Sequence, residues 1–105
     1  MTMEELQIFL SLAQKHPQTG EPMLTYDQLN AMLSRIAQTG CALLLGGDVL
    51  SSQGQHLYLN WHYEKNAVLS PAENARLSCN AAYRYIDRLP ERVQYLYIPV
   101  FDRPV

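Results

Sequence analysis

Residues 41–50, CALLLGGDVL, form the most continuously apolar run of the chain, broken only by Gly46, Gly47 and Asp48. Ten residues fall well short of the roughly 18 that a membrane span needs. They suit a strand buried on both faces, which belongs at the centre of a sheet. The next apolar segment, QHLYLNWHYE, follows the polar, glycine-containing turn SSQG, so the two read as a β-hairpin. It alternates: Leu57, Leu59, Trp61 and Tyr63 face one way, and His56, Tyr58, Asn60 and His62 the other. A last strand, VQYLYIPVF, contains Pro99, whose missing N–H confines it to a sheet edge.

Three helix starts share one spelling, a Ser or Thr followed three residues later by Glu or Gln: Thr2 and Glu5, Thr25 and Gln28, Ser70 and Glu73. In such a capping box the hydroxyl accepts from a free N–H of the first turn and the acid or amide reaches back to the cap's own N–H. Pro71 follows Ser70 at the first helical position, where its missing N–H costs nothing. The first helix runs from Thr2 with Leu6, Phe9, Leu10 and Ala13 on one face and stops before Pro17; residues 17–24 read as a loop. The second carries Tyr26, Leu29, Met32, Leu33, Ile36 and Ala37 and ends at Gly40, suited to the positive φ of a helix C-terminus. The third carries Ala75, Cys79, Ala82, Tyr83, Ile86 and Leu89 and ends at Pro90.

The expected fold class is α+β: two N-terminal helices, then a β-hairpin, a helix and a β-strand. A helical crossover returns the last strand antiparallel to the first strand of the hairpin. The expectation is therefore one three-stranded antiparallel sheet of order 2-1-3, packed with helices. A chain of 105 residues with 48% hydrophobic residues supports a single domain, 1–105.

The formal net charge of -2 argues against a nucleic-acid binder, which needs a clustered cationic footprint. Acids dominate residues 1–50, where Lys15 and Arg35 face Glu4, Glu5, Glu21, Asp27 and Asp48. That half is suited to a cationic partner, or simply to solvated helix faces. The first segment, MTMEELQIFLSLAQKH, carries acids where a secretory signal needs bases, so a cytoplasmic location is expected. Cys41 and Cys79 sit in apolar surroundings without metal-like spacing, and read as buried free thiols.

No catalytic, metal or cofactor site assembles from these residues. Gly46-Gly47-Asp48 lacks the helix N-terminus that a phosphate loop requires, and reads instead as a bulge or a place of close packing. Glycines without side chains leave room for an indole, so Trp61 is expected to pack against them. His56 and His62 share a strand face but lie roughly 20 Å apart, too far to ligate one ion. Cys79 belongs to an apolar helix stripe, and Ser70 and Ser78 lack a nucleophile elbow. An enzyme is therefore not expected. Seven tyrosines is a high share, and Tyr58, Tyr95 and Tyr97, with His56, Asn60 and His62, read equally as a contact face or as a face covered by the first two helices.

The run Gly46-Gly47-Asp48-Val49, Trp61 after the hairpin, Ser78 with Tyr85-Ile86 on the next helix, and the closing YLYIPVF resemble the immunity protein 40 family of bacterial polymorphic-toxin and contact-dependent inhibition systems, over residues 43–101. The resemblance implies that Gly46, Gly47, Asp48, Trp61, Ser78 and Tyr85 are a family motif of mainly structural character. It also implies a non-enzymatic protein that binds and neutralises a cognate toxin domain and protects the producing cell. Candidate contact residues are Tyr58, Asn60, His62, Glu64, Tyr95 and Tyr97. If the toxin is a nuclease, its cleft is cationic, and Glu4, Glu5, Asp27 and Glu64 would stand in for phosphate. The competing expectation is a small regulatory or adaptor subunit that binds another cytoplasmic protein through the same tyrosine face.

Overall fold

The computed structural model describes residues 1–103 and 105. Helix α1 (Met3–Ser11) starts at a closed capping box: Thr2 Oγ1 accepts from Glu5 N–H and the Glu5 carboxylate accepts from Thr2 N–H. Its last turn carries no basic residue, but Lys15 Nζ donates back to the Leu10 and Ala13 carbonyls. That cation satisfies acceptors that a helix end leaves without partners. Helix α2 (Tyr26–Thr39) repeats the box with Thr25 and Gln28, and ends at Gly40 with φ 65°. In α3 (Pro71–Ile86) the first turn differs: Ser70 Oγ accepts from Glu73 N–H and donates to the Glu73 carboxylate, which takes the hydroxyl rather than the backbone of the cap.

The expectation of a single three-stranded sheet is overturned. Two short strands, β1 (Gln14–Lys15) and β2 (Pro22–Met23), pair antiparallel between α1 and α2, so the described residues form two sheets in the order α-β-β-α-β-β-α-β. The segment expected as a loop turns back on itself: His16 N–H donates to the Glu21 carbonyl at 2.8 Å, and Gly20, at φ 75°, donates to the His16 carbonyl. Strands of two residues carry no periodicity, which is why alternation in the sequence does not announce them. The first helix accordingly stops at Ser11, well before Pro17, and α3 stops at Ile86, with turns over residues 87–94 before the last strand.

The larger sheet holds β3 (Leu44–Leu50) between β4 (His56–His62) and β5 (Leu96–Phe101), all antiparallel neighbours. Cross-strand pairing of Val49 with Leu59 and Tyr97, and of Gly47 with Trp61 and Pro99, defines the face turned toward the helices. There Leu44, Val49, Trp61 and Tyr97 join Leu6, Leu10, Leu29, Met32, Leu33, Ile36, Ala75, Cys79, Ala82 and Ile86 in the main core. Burial pushes the Cys79 thiol up to about 11, so it stays protonated at neutral pH.

The opposite face has its own small core, Leu50, Leu96 and Ile98 under Met23 of β2. Leu24 exchanges both backbone hydrogen bonds with Tyr97, at 2.7 and 2.9 Å. The small sheet thereby fastens to β5 and covers part of that edge, leaving β4 as the open edge of the larger sheet. Among the described residues, no helix is long and apolar enough to cross a membrane.

Candidate protein-binding surface

Trp61 is held between the sheet and α3. A Cβ on Gly47 would lie 2.7 Å from both Cζ2 and Cζ3 of the indole, so the ring rests directly on the Gly47 backbone. A Cβ on Gly46 would meet the Trp61 carbonyl group, 3.1 Å from its carbon. The two glycines therefore admit a side chain and a strand backbone that any other residue would displace. Tyr85 of α3 lies beside the indole, ring centroids 5.9 Å apart and planes tilted by 32°. Ser78 is fully buried, its hydroxyl donating to the Ala75 carbonyl within the helix, a structural role with no route to a substrate.

Asp48, Asn60, His62 and Val100 share the face of the sheet turned away from the helices. With Leu45 and Gly46 they line an open depression of about 250 Å³. Beyond the Val49–Leu59 pair the register jumps so that Leu50 pairs with His56, which leaves Leu57 and Tyr58 bulged out of the ladder. Tyr58 sits there at φ 58° and is 91% exposed. A bulky residue in left-handed backbone is strained, and nothing in the core compensates for it. Beside it, the His16 and His56 rings lie 5.7 Å apart. His16 is buried, and its Nδ1 accepts from the Gln18 and Thr19 N–H groups.

The structure collects part of the expected contact face. Tyr58, Asn60, His62 and Glu64 are exposed along or just after β4. Tyr95 is half-buried, its hydroxyl donating to the Glu91 carboxylate at 3.4 Å. Tyr97 does not belong to that face: its pairing with Val49 turns it toward the helices, where it is fully buried and donates to the Arg92 carbonyl. Burial raises its hydroxyl far above the ordinary tyrosine range. Glu4, Glu5 and Asp27 are exposed in the first turns of α1 and α2, where carboxylates complement the helix dipole.

Two features escape a reading of the sequence. Asn74 is buried, and its carbonyl accepts from the Tyr63 hydroxyl at 2.8 Å and the Asn66 N–H at 2.9 Å. Its amide donates to the carbonyls of Asn66, Leu69 and Ser70, so one side chain closes the loop from β4 to α3. The signal was available, since Asn74, Ser78 and Ala82 follow at four-residue steps on a buried stripe. The second is the exposed pair Arg84 and Arg88, one turn apart beside Tyr85. Among the described residues, no group of three or more His, Cys, Asp or Glu is placed to hold a metal ion.

The family model of immunity protein 40 matches residues 15–101, which takes in both sheets, α2 and α3. The chain belongs to the immunity protein 40 family. The match reaches further toward the N-terminus than the motif alone implied, and starts within β1, past the end of α1. Searches of curated proteins and of solved structures found no significant match. In this family member Gly47, Trp61 and Tyr85 join the sheet to α3, Gly46 lies against the backbone of β4, Ser78 is buried within α3, and Asp48 is half-buried on the other face of the sheet.

Proposed function

We propose that this immunity protein 40 family member acts by binding, without catalysis, and neutralises a cognate toxin domain by covering its active site or substrate path. Family membership over residues 15–101 carries the reading. The contact surface centres on the open edge of β4 and the residues next to it: Tyr58, Asn60, His62 and Glu64. Tyr58 supports this placement, because a strained backbone and an almost fully exposed ring contribute nothing to the fold. Aromatic anchors of this kind supply much of the affinity of protein interfaces.

A nuclease toxin would present a cationic cleft to Glu4, Glu5, Asp27 and Glu64. Three of those acids already serve helix N-termini, so the binding reading does not depend on phosphate mimicry. The test is growth rescue: the C-terminal domain of the protein encoded beside this gene is expressed with and without the chain, and survivors are counted. Rescue together with co-purification is the expected result. Killing that persists with the chain present and folded would reject the proposal.

A further inference from the structure

The second half of α3 and the edge of β4 flank a shallow, open groove of about 320 Å³, lined by Trp61, His62, Ala81, Arg84, Tyr85 and Arg88. Ala81, Tyr85 and Trp61 make an apolar and aromatic floor, and the two arginines supply its charged rim. Arg84 and Arg88 are exposed, and neither guanidinium makes a hydrogen bond or an ion pair among the described residues. Like charges one helical turn apart repel by a few tenths of a kcal/mol. The helix dipole favours Arg84 in the last turn, but Arg88 lies past the helix end. Trp61, in the same groove, carries the one buried side-chain donor without a partner among the described residues, its indole N–H.

We infer that this groove docks an acidic segment of the toxin, with an Asp or Glu carboxylate clamped by Arg84 and Arg88 and an apolar or aromatic neighbour seated on Tyr85 and Ala81. The inference rests on the toxin-binding reading and names the partner chemistry at one part of that surface; His62 belongs to both the β4 edge and the groove. Guanidinium groups take carboxylates in bidentate geometry, and two of them at one turn's spacing span one acidic side chain. A nucleic acid fits less well, because a molecule of net charge -2 with an acid-rich first half repels a polyanion and two arginines make a small phosphate footprint.

The experiment compares wild type with Arg84→Gln/Arg88→Gln and Arg84→Glu/Arg88→Glu, measuring melting temperature, affinity for the toxin domain encoded beside the gene, and growth rescue. Both variants are expected to melt like wild type, since the side chains are exposed. Affinity should fall about 30-fold or more, furthest for the Glu pair, as expected when desolvated charge pairs are lost at an interface. Wild-type rescue with unchanged affinity in both variants overturns the groove proposal and leaves the immunity reading standing. Failure of wild type to bind or rescue rejects both. Competition of the wild-type complex by inorganic phosphate or a short single-stranded DNA, but not by a poly-glutamate peptide, also overturns the proposal, by showing a phosphate site instead.

Discussion

The indole of Trp61 occupies the space that a side chain on Gly47 would need. Gly47 is the central strand's contribution to the main core in the negative: its missing Cβ lets the one tryptophan lie flat against the sheet, with Tyr85 beside it. Because the clash would be with a ring held on both sides, it cannot be relieved by a simple rotation.

Gly47→Val should therefore destabilise the protein by about 2–3 kcal/mol or more, the range of a core forced to accept extra carbons. Combining Gly47→Ala with Trp61→Leu should recover part of the loss that Gly47→Ala causes alone. Thermal unfolding followed by far-UV circular dichroism gives both numbers, and an unchanged melting temperature for Gly47→Val would show that the ring yields.

Tyr58 separates stability from binding. Tyr58→Gly removes a left-handed backbone conformation from a bulky residue, so the variant should be as stable as wild type or more stable by about 1 kcal/mol. It should nevertheless bind the toxin more weakly, since the exposed ring is lost. Tyr58→Ala should lose the same affinity with less gain in stability. A Tyr58→Gly protein that melts lower than wild type would contradict the strain argument.

Asn74→Ala deletes the side chain that ties Tyr63, Asn66, Leu69 and Ser70 together. The loss should reach about 2–4 kcal/mol, because several buried polar groups lose their partner at once. Hydrogen exchange offers the sharper check: the N–H of Asn66 should lose protection in the variant while the α2 amides keep theirs.

Alkaline pH should loosen the fold through Cys79. Its thiol ordinarily titrates near 9.0 and in the fold near 11, so the native state holds the proton longer than the unfolded chain. The stabilisation is complete below about pH 9 and drains away as pH rises toward and through 11, roughly 2–3 kcal/mol across the window. Tyr97, raised for the same reason, adds in the same direction. Cys79→Ala should flatten part of this slope in urea titrations at stepped pH; an identical slope would assign it to the tyrosines.

The parts of the fold that speak in the sequence are those governed by neighbours within a few residues. Thr2 with Glu5, Thr25 with Gln28, and Gly40 are local devices, and each sits where its own chemistry requires. Gly47 and Trp61 were legible for a related reason: a gap and a large ring within one hairpin have few other uses for each other. The small sheet was not legible, because Gln14, Lys15, Pro22 and Met23 show no pattern and depend on the docking of Leu24 against Tyr97.

The candidate surface shows the same division. Alternation within β4 puts Asn60 and His62 on one side, but relating that side to β5 requires the register through β3, which sets Tyr97 opposite Val49 and Leu59 rather than Asn60 and which no alternation encodes. Tyr97 was misplaced on that account. Arg84 and Arg88 were readable only as scattered charge, since their meaning comes from Trp61 and His62, brought beside them by tertiary packing.

The pairing of Leu24 with Tyr97 also bears on when the protein exists at all. The central strand is made well before its second neighbour, and at synthesis rates of about 5–20 residues per second it waits a few seconds with one bare edge. Only when Leu96–Phe101 leave the ribosome can β3 be closed and the small sheet fastened. A translation product halted before the last strand therefore has neither a closed sheet nor a seated Leu24.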